Sequence, residues 1–432
     1  MPPQFSSLLN YILAITMTQS LALTTARAQN MPSPLSIYIH IPFCNARCSY
    51  CAFNTYIDLA HLIPAYVRAV CSELAYAASN CPTRPVHTVF FGGGTPSLLS
   101  AAQFEQIMRQ LQDAFALAAD IEISLEANPD DLSAGYLGEL RALGFNRISI
   151  GMQSANPRIL QLFDRQHDVQ AVSDAVRSAR AARFDNLNLD IIFGSPYESL
   201  ADWQQTIGAA VDYAPEHISM YGLELKGGTS LRSQVDAGAL PQPDDDLFAD
   251  MYEYAAAYLT QRGYGQYEIS NWCRPARECR HNLQYWRNLD YIGIGAGAHG
   301  FAHGTRYSTI TAPGRYIAAL DKEQQATRPF PLTPAVAKHK AVSAADDLYE
   351  TLMMSLRLTR EGVCRSRFQA RFGADITDMF PQQCHKLAVL GLLRIETDRL
   401  RLSDAGRLLS NTVIREFVEA IPQTAIPLVA AS

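Results

Sequence analysis

A chain of 432 residues is longer than one hydrophobic core usually serves, so its length predicts a large domain with a smaller companion. Its 48% hydrophobic and 18% charged residues are ordinary for a globular protein, and a net charge of −6 argues against a surface built mainly to grip phosphate backbones, though it leaves room for a local basic patch. Nine cysteines, an odd number with a single tight cluster, argue against a disulfide framework and fit a reducing compartment.

Residues 1–34 are expected to be an extension outside the fold, either disordered or the product of a misassigned start. Leu8 to Leu23 is fairly apolar and Ala26-Arg27-Ala28 resembles a small-residue cleavage site. Yet no positive charge precedes the run, and Thr16, Thr18, Gln19 and Ser20 break it up too often for a signal or a membrane span. Met31 is the preferred first residue of the folded protein.

From there short β-branched or aromatic runs alternate with amphipathic helical stretches, the pattern of repeated βα units on a parallel sheet. Strands are predicted at 36–41, 86–91, 121–126, 147–151, 187–192 and 217–222, and helices near 61–79, 101–116, 133–143, 169–183, 199–213 and 245–262. Six such units predict an α/β fold with a partial, open barrel over residues 35–262, in which chemistry gathers at the carboxyl ends of strands.

After the first strand come Cys44, Cys48 and Cys51 in a polar loop containing Asn45, Arg47 and Ser49. Such a loop makes a poor core segment, and three thiolates at this spacing suit zinc, copper or an iron–sulfur cluster. Zinc would want a fourth ligand; a four-iron cluster held by three cysteines keeps one iron open.

After the second strand, Gly92-Gly93-Gly94-Thr95-Pro96-Ser97 permits close backbone approach to a ligand, or is merely a tight turn into a helix capped by Ser97 or Ser100. Glu126 and Gln153 stand at the ends of strands three and four, Arg165 offers a planar fork on the next connection, and Asp190 lies among apolar neighbours where a carboxylate needs a partner. The loop Gly227-Gly228-Thr229 is placed over the barrel mouth.

Residues 263–320 form an aromatic and glycine-rich segment associated with the barrel. Gly293, Gly295 and Gly297 lack the spacing of a dinucleotide loop and predict close packing instead. His281 beside Tyr285 and Trp286 is either a hydrogen-bonded structural histidine or a haem ligand among flat rings; Cys273, Cys279 and His281 are a weaker metal alternative. Residues 321–432 read as a separate, winged-helix-like unit: helices near 343–358, 364–372 and 376–389, a hairpin at Leu393-x-Ile395 and Leu400-x-Leu402, and a helix from Ser403 to about Glu419. No basic run decorates its candidate recognition helix, so a lid or docking module is favoured over nucleic-acid binding.

The cysteine loop, with Tyr50 just before the last cysteine, resembles the cluster loop of the radical S-adenosylmethionine (SAM) enzymes. The lead-in Tyr38-Ile39-His40-Ile41-Pro42-Phe43 is similar to the HemN-like family, which contains oxygen-independent coproporphyrinogen III oxidases and haem chaperones, and the resemblance spans roughly residues 35–420. It implies a radical SAM barrel with a C-terminal HemN-type domain. It further implies a [4Fe-4S] cluster on Cys44, Cys48 and Cys51, whose open iron chelates the amino and carboxylate groups of SAM. SAM contacts carried over are Tyr38, Tyr50, Gly94, Thr95, Glu126, Gln153, Arg165 and Asp190, and no catalytic residue is assigned. The motif from His281 through Tyr285 and Trp286 looks like the HNxxYW segment of haem chaperones.

Ser195-Pro196-Tyr197 departs from the common leucine, proline, glycine pattern. Phe53 stands where the oxidases carry a further cysteine, and their N-terminal extension is not recognisable before Ser36. Both features favour the haem-chaperone branch, with haem as cargo, over the oxidases; a nucleic-acid-modifying radical SAM enzyme carries least weight. Expected partners are haem-accepting respiratory proteins and an electron donor for the cluster. Cytoplasmic residence, peripheral contact with the inner membrane and a homodimer are further expectations.

Overall fold

The computed structural model describes residues 34–321 and 328–421, so the expected extension and the start at Met31 lie outside the described residues. The chain divides into two compact units. Of the described residues, one comprises 34–285, 289–321 and 328–341, the other 286–288 and 342–421.

The first unit opens with β1 (Leu35–Ile41), α1 (Ile63–Ser79), β2 (Val86–Gly93), α2 (Ala101–Ala114), β3 (Leu117–Ala127), α3 (Ala134–Ala142) and β4 (Arg147–Gln153). It continues through α4 (Pro157–Leu162), α5 (Val169–Ala181), β5 (Leu187–Phe193), α6 (Leu200–Asp212), β6 (His217–Gly222), α7 (Ser230–Asp236) and α8 (Asp245–Gln261). Side-chain caps fix where helices begin: Ser100 with Gln103 and Ser199 with Asp202 form reciprocal capping boxes, and Asp168 and Asp244 cap α5 and α8. Strands β1 to β6 pair in parallel and in sequence order, as the alternating pattern predicts.

The segment after α8 extends this sheet at both edges. Strands β7 (Gly265–Glu268) and β8 (Asn271–Cys273) join antiparallel beyond β6. After α9 (Arg280–Trp286), β9 (Tyr291–Ile294) pairs in parallel with β1. Strands β10 (His299–Ala302), β11 (Thr305–Thr309) and, after α10 (Pro313–Leu320), β12 (Val336–Ala341) complete a twelve-stranded sheet. The sheet unit therefore runs past residue 321, because β12 pairs with β11. The close packing expected of the glycines is present: Gly293 abuts the His299 carbonyl and Gly295 abuts that of His40.

Parallel strands buried on both faces are usually apolar throughout. These alternate. Leu35, Ile37, Ile39 and Ile41 of β1, with Val89, Phe91, Ile123, Leu125, Ile148, Ile150, Leu189 and Ile191, form the apolar core. The alternate positions hold polar groups that bond to one another across the sheet: Thr88 Oγ1 donates to Ser36 Oγ (2.6 Å), Ser149 Oγ to Asp190 Oδ2 (2.7 Å), and His217 Nδ1 to Asn188 Oδ1 (2.6 Å). One face of the sheet thus supplies stability, and the other a polar interior most of whose members are hydrogen-bonded, Ser124 Oγ being an exception.

The second unit contains α11 (Ala344–Ser355), β13 (Val363–Cys364), α12 (Arg365–Phe372), α13 (Ile376–Met379), α14 (Pro381–Val389), β14 (Leu393–Ile395), β15 (Arg399–Leu402), α15 (Asp404–Leu408) and α16 (Ser410–Glu419). Its small sheet has the order β13-β15-β14, the hairpin-on-helices arrangement expected of a winged-helix-like unit. The last helix is not continuous as expected; Leu409, at φ −103° and ψ 24°, divides it in two. Residues 286–288 belong here because Arg287 pairs with Glu361 (2.8 Å) and Arg371 binds both the Asn288 carbonyl (3.0 Å) and Asp347 (2.5 Å).

Candidate functional site

The cysteine loop leaves the carboxyl end of β1 and is pinned at several points. Cys44 N–H donates to the Tyr56 carbonyl (3.0 Å), and Tyr56 N–H returns to Pro42 (2.7 Å). Ser49 N–H donates to Phe163 (3.2 Å), Ser49 Oγ to Leu162 (2.6 Å), and Leu231 N–H to the Ser49 carbonyl (2.9 Å). The Gly227-Gly228-Thr229 loop thus leads into a helix docked on the cysteine loop. Tyr50 packs edge-on against Phe163 (4.8 Å). All three thiols are half-buried, and burial pushes those of Cys44 and Cys51 up.

No three His, Cys, Asp or Glu among the described residues lie close enough to hold a single metal ion, which removes the Cys273, Cys279 and His281 alternative. A four-iron cluster asks less convergence, since each thiolate binds a different iron. Three thiols on one pinned loop, each offered hydrogen-bond donors, fit that group: Thr95 Oγ1 donates to Cys44 Sγ (3.4 Å) and Arg165 Nη1 to Cys48 Sγ (3.4 Å), while Cys51 takes the Phe53 N–H and the Thr55 hydroxyl.

The glycines at the end of β2 are required by the same packing. Gly93 has φ +115°, and a Cβ there would lie 2.5 Å from the His40 ring; one on Gly94 would lie 2.6 Å from the Phe43 carbonyl. Gly94 and Thr95 instead donate their N–H groups to Ile41 and Phe43 (both 2.8 Å). This close approach to the cysteine loop sets Thr95 against Cys44.

On the inner wall, Tyr38 Oη lies 3.0 Å from His40 Nδ1, and His40 Nε2 lies 2.9 Å from the Asn54 carbonyl. The carbonyl can only accept, so His40 carries its proton on Nε2 and Tyr38 donates to Nδ1. Glu126 Oε2 accepts from Gly93 N–H (3.1 Å); burial, with Asp190 second, pushes its carboxyl up to about 7. Asp190 is raised by burial as well, although Ser149 and Asn188 donate to it. Gln153 follows a register shift between β4 and β5 and adopts φ +61°, which turns its side chain out of the strand alternation.

Arg165 spends its donors on protein. Besides Cys48, it reaches Asn128 Oδ1 (2.8 Å), the Gly151 carbonyl (3.1 Å) and His167 Nδ1 (3.3 Å). His167 Nε2 in turn faces the Met152 carbonyl (3.1 Å), so Nδ1 is the free acceptor; burial first, then Arg165, lowers its pKa to about 4.

His281 lies in the protein interior. It is fully buried, its ring stacked on Phe90 (5.1 Å), with Nδ1 on Thr88 Oγ1 (2.8 Å) and Nε2 on Tyr285 Oη (2.7 Å). Both ring nitrogens are therefore committed, and burial lowers its pKa to about 3. The helix carrying it is anchored by Glu122, which accepts from His281 N–H (3.0 Å) and Arg280 N–H (3.1 Å). Its partner Thr88 lies level with the Ser36 end of β1, five residues from the strand's cysteine-loop end, about 16 Å at 3.3 Å per residue. Tyr285 shares this floor, while Trp286 is half-buried in the other unit.

Three contributors escaped the sequence. His40 sits inside the lead-in motif and Asn128 lies two residues beyond Glu126, but both are singled out only by their partners. Glu73 is fully buried and accepts from Tyr316 Oη (2.6 Å), Thr333 Oγ1 (2.6 Å) and Gly295 N–H (2.9 Å), bracing the loop to which Asn54 is hydrogen-bonded. Only an unusual carboxylate in an apolar helical stripe hinted at it.

A parallel six-strand βα sheet with a three-thiol loop after its first strand is the arrangement of a radical SAM protein. Residues 38–210 match the Radical SAM superfamily and residues 342–409 the HemN C-terminal domain. The chain is 38% identical over 388 residues to the Heme chaperone HemW of Mycobacterium tuberculosis, covering 89% of this chain and 95% of that protein. It is 34% identical over 387 residues to HemW of Escherichia coli, covering 89% and 98%. Among solved structures, Escherichia coli coproporphyrinogen III oxidase (HemN), described as a radical SAM enzyme, superimposes with a TM-score of 0.75 over 93% of each chain at 25% identity. The chain belongs to the HemW family of radical SAM proteins.

Proposed function

We propose that this protein is a haem chaperone that carries a [4Fe-4S] cluster on Cys44, Cys48 and Cys51, binds SAM beside it, and passes haem to acceptor proteins. The observation that carries the reading is near full-length similarity to proteins named haem chaperones, at 38% identity over 95% of one of them. Exposed Phe53, at the position of the oxidases' further cysteine, weighs against decarboxylation of coproporphyrinogen.

The cluster, when bound, supplies an electron to the sulfonium of SAM. The chain's own part is placement. Gly94 and Thr95 bring the end of β2 against the loop, Tyr38 and Glu126 line the wall, and Gln153 and Asp190 complete it. Tyr50 closes the side facing Phe163, and Arg165 holds the cluster loop through Cys48. Haem seated at the segment His281, Tyr285 and Trp286 would first have to break the two hydrogen bonds of His281, so we place the iron ligand elsewhere. No helix of the described residues is long and apolar enough to cross a membrane. We take the protein to work in the cytoplasm and to meet respiratory haem acceptors at the membrane surface.

Anaerobic reconstitution, followed by haem titration in the Soret region and a coproporphyrinogen III turnover assay on the same sample, tests the proposal. Stoichiometric haem binding without decarboxylation is expected. Decarboxylation without haem binding would overturn it.

A further inference from the structure

Asn128 follows the tip of β3 and touches neither a cysteine nor, in the sequence reading, a ligand. Its side chain nevertheless joins the two residues that donate to cluster sulfurs. Asn128 Oδ1 accepts from Arg165 Nη2 (2.8 Å), and Asn128 Nδ2 donates to Thr95 Oγ1 (3.4 Å). A guanidinium has no acceptor, so Arg165 decides which way the amide points. The NH2 end must then face Thr95. Because the Thr95 oxygen accepts there, its own proton is turned to Cys44 Sγ (3.4 Å). On the other side the Asn128 oxygen helps hold the guanidinium, which reaches Cys48 Sγ with Nη1 (3.4 Å). Asn128 N–H donates to Ser97 Oγ (3.4 Å), which fixes the backbone beneath the amide.

We propose that Asn128 is a positioning residue that sets the polarity of the hydrogen bond to Cys44, helps hold the donor to Cys48, and thereby raises the reduction potential of the cluster. This rests on the proposed cluster site. The physical cause is that donors to cluster sulfur stabilise the extra negative charge of the reduced state, one of the levers by which proteins set these potentials. Cys51, by contrast, draws on donors from its own loop. Reversal at a single amide therefore alters two of the three ligands.

The test is an EPR-monitored redox titration of the reconstituted full-length protein, without SAM, in which dithionite supplies the one electron the cluster accepts. Asn128→Asp is close in shape but accepts from Thr95 as well as from Arg165, so the Thr95 proton leaves Cys44. Its potential should fall below that of wild type. Thr95→Val should also fall, by less, because Arg165 still serves Cys48, and Thr95→Ser should return to the wild-type value. Asn128→Leu, which orients nothing and adds no charge, should fall as well. Equal iron and sulfide in all samples with Asn128→Leu at the wild-type potential would overturn the inference while leaving the cluster site standing. Failure of the wild-type chain to assemble a cluster, with Cys44→Ala, Cys48→Ala and Cys51→Ala equally empty, would instead overturn the underlying reading and this inference with it.

Discussion

Replacing Glu126 with glutamine should make the protein more stable and less able to hold SAM, and the gain should depend on pH. Burial pushes this carboxyl from 4.5 up to about 7. Between those values the folded state keeps a proton that the unfolded chain releases, so the wild-type protein loses stability as pH rises through the window. At 1.36 kcal/mol per unit the full loss is about 3 kcal/mol above pH 7. Glutamine cannot ionise and still offers an oxygen to Gly93 N–H, whose bond to Glu126 is 3.1 Å. Glu126→Gln should therefore exceed wild type by about 1 kcal/mol at pH 5.5 and about 3 kcal/mol at pH 8. Urea unfolding followed by fluorescence of buried Trp203 and Trp272, in a Trp286→Phe background, reads the sheet unit. A gap between variant and wild type that stays flat with pH, or a wild-type protein more stable at pH 8, would refute the reasoning.

Tyr197 is 68% exposed at φ +64°, in the place where the common family pattern has glycine, so Tyr197→Gly should raise the unfolding free energy by about 1 kcal/mol; a loss would show that its ring is held. Gly93→Ala should cost at least about 2 kcal/mol and lower the iron retained after reconstitution, because the new Cβ meets the His40 ring at a φ of +115°. His281→Ala leaves the Thr88 and Tyr285 hydroxyls without their partner, and should cost about 2–4 kcal/mol by urea midpoint. Its haem-bound folded fraction should keep the wild-type Soret maximum; a shift would mean that His281 leaves its place and binds iron.

Local signals made much of this protein legible. The alternation of apolar strands and capped helices, Ser100 with Gln103 among them, encodes β1 to β6 and their helices through contacts a few residues apart. The thiol spacing from Cys44 to Cys51 suggests a metal centre for the same reason: its geometry is contained in one loop. The tertiary structure decided what depends on distant partners. It put β9 beside β1, turned polar strand residues inward, and set His281 on Thr88, 193 residues away in sequence. His281 stayed open between structural histidine and ligand because a histidine among aromatics is ambiguous until the occupants of both its nitrogens are known. Arg165 meets Cys48, and Asn128 meets Arg165, only because separate strands end at one rim, where a hydrogen bond's direction follows from its neighbours and no sequence pattern records it.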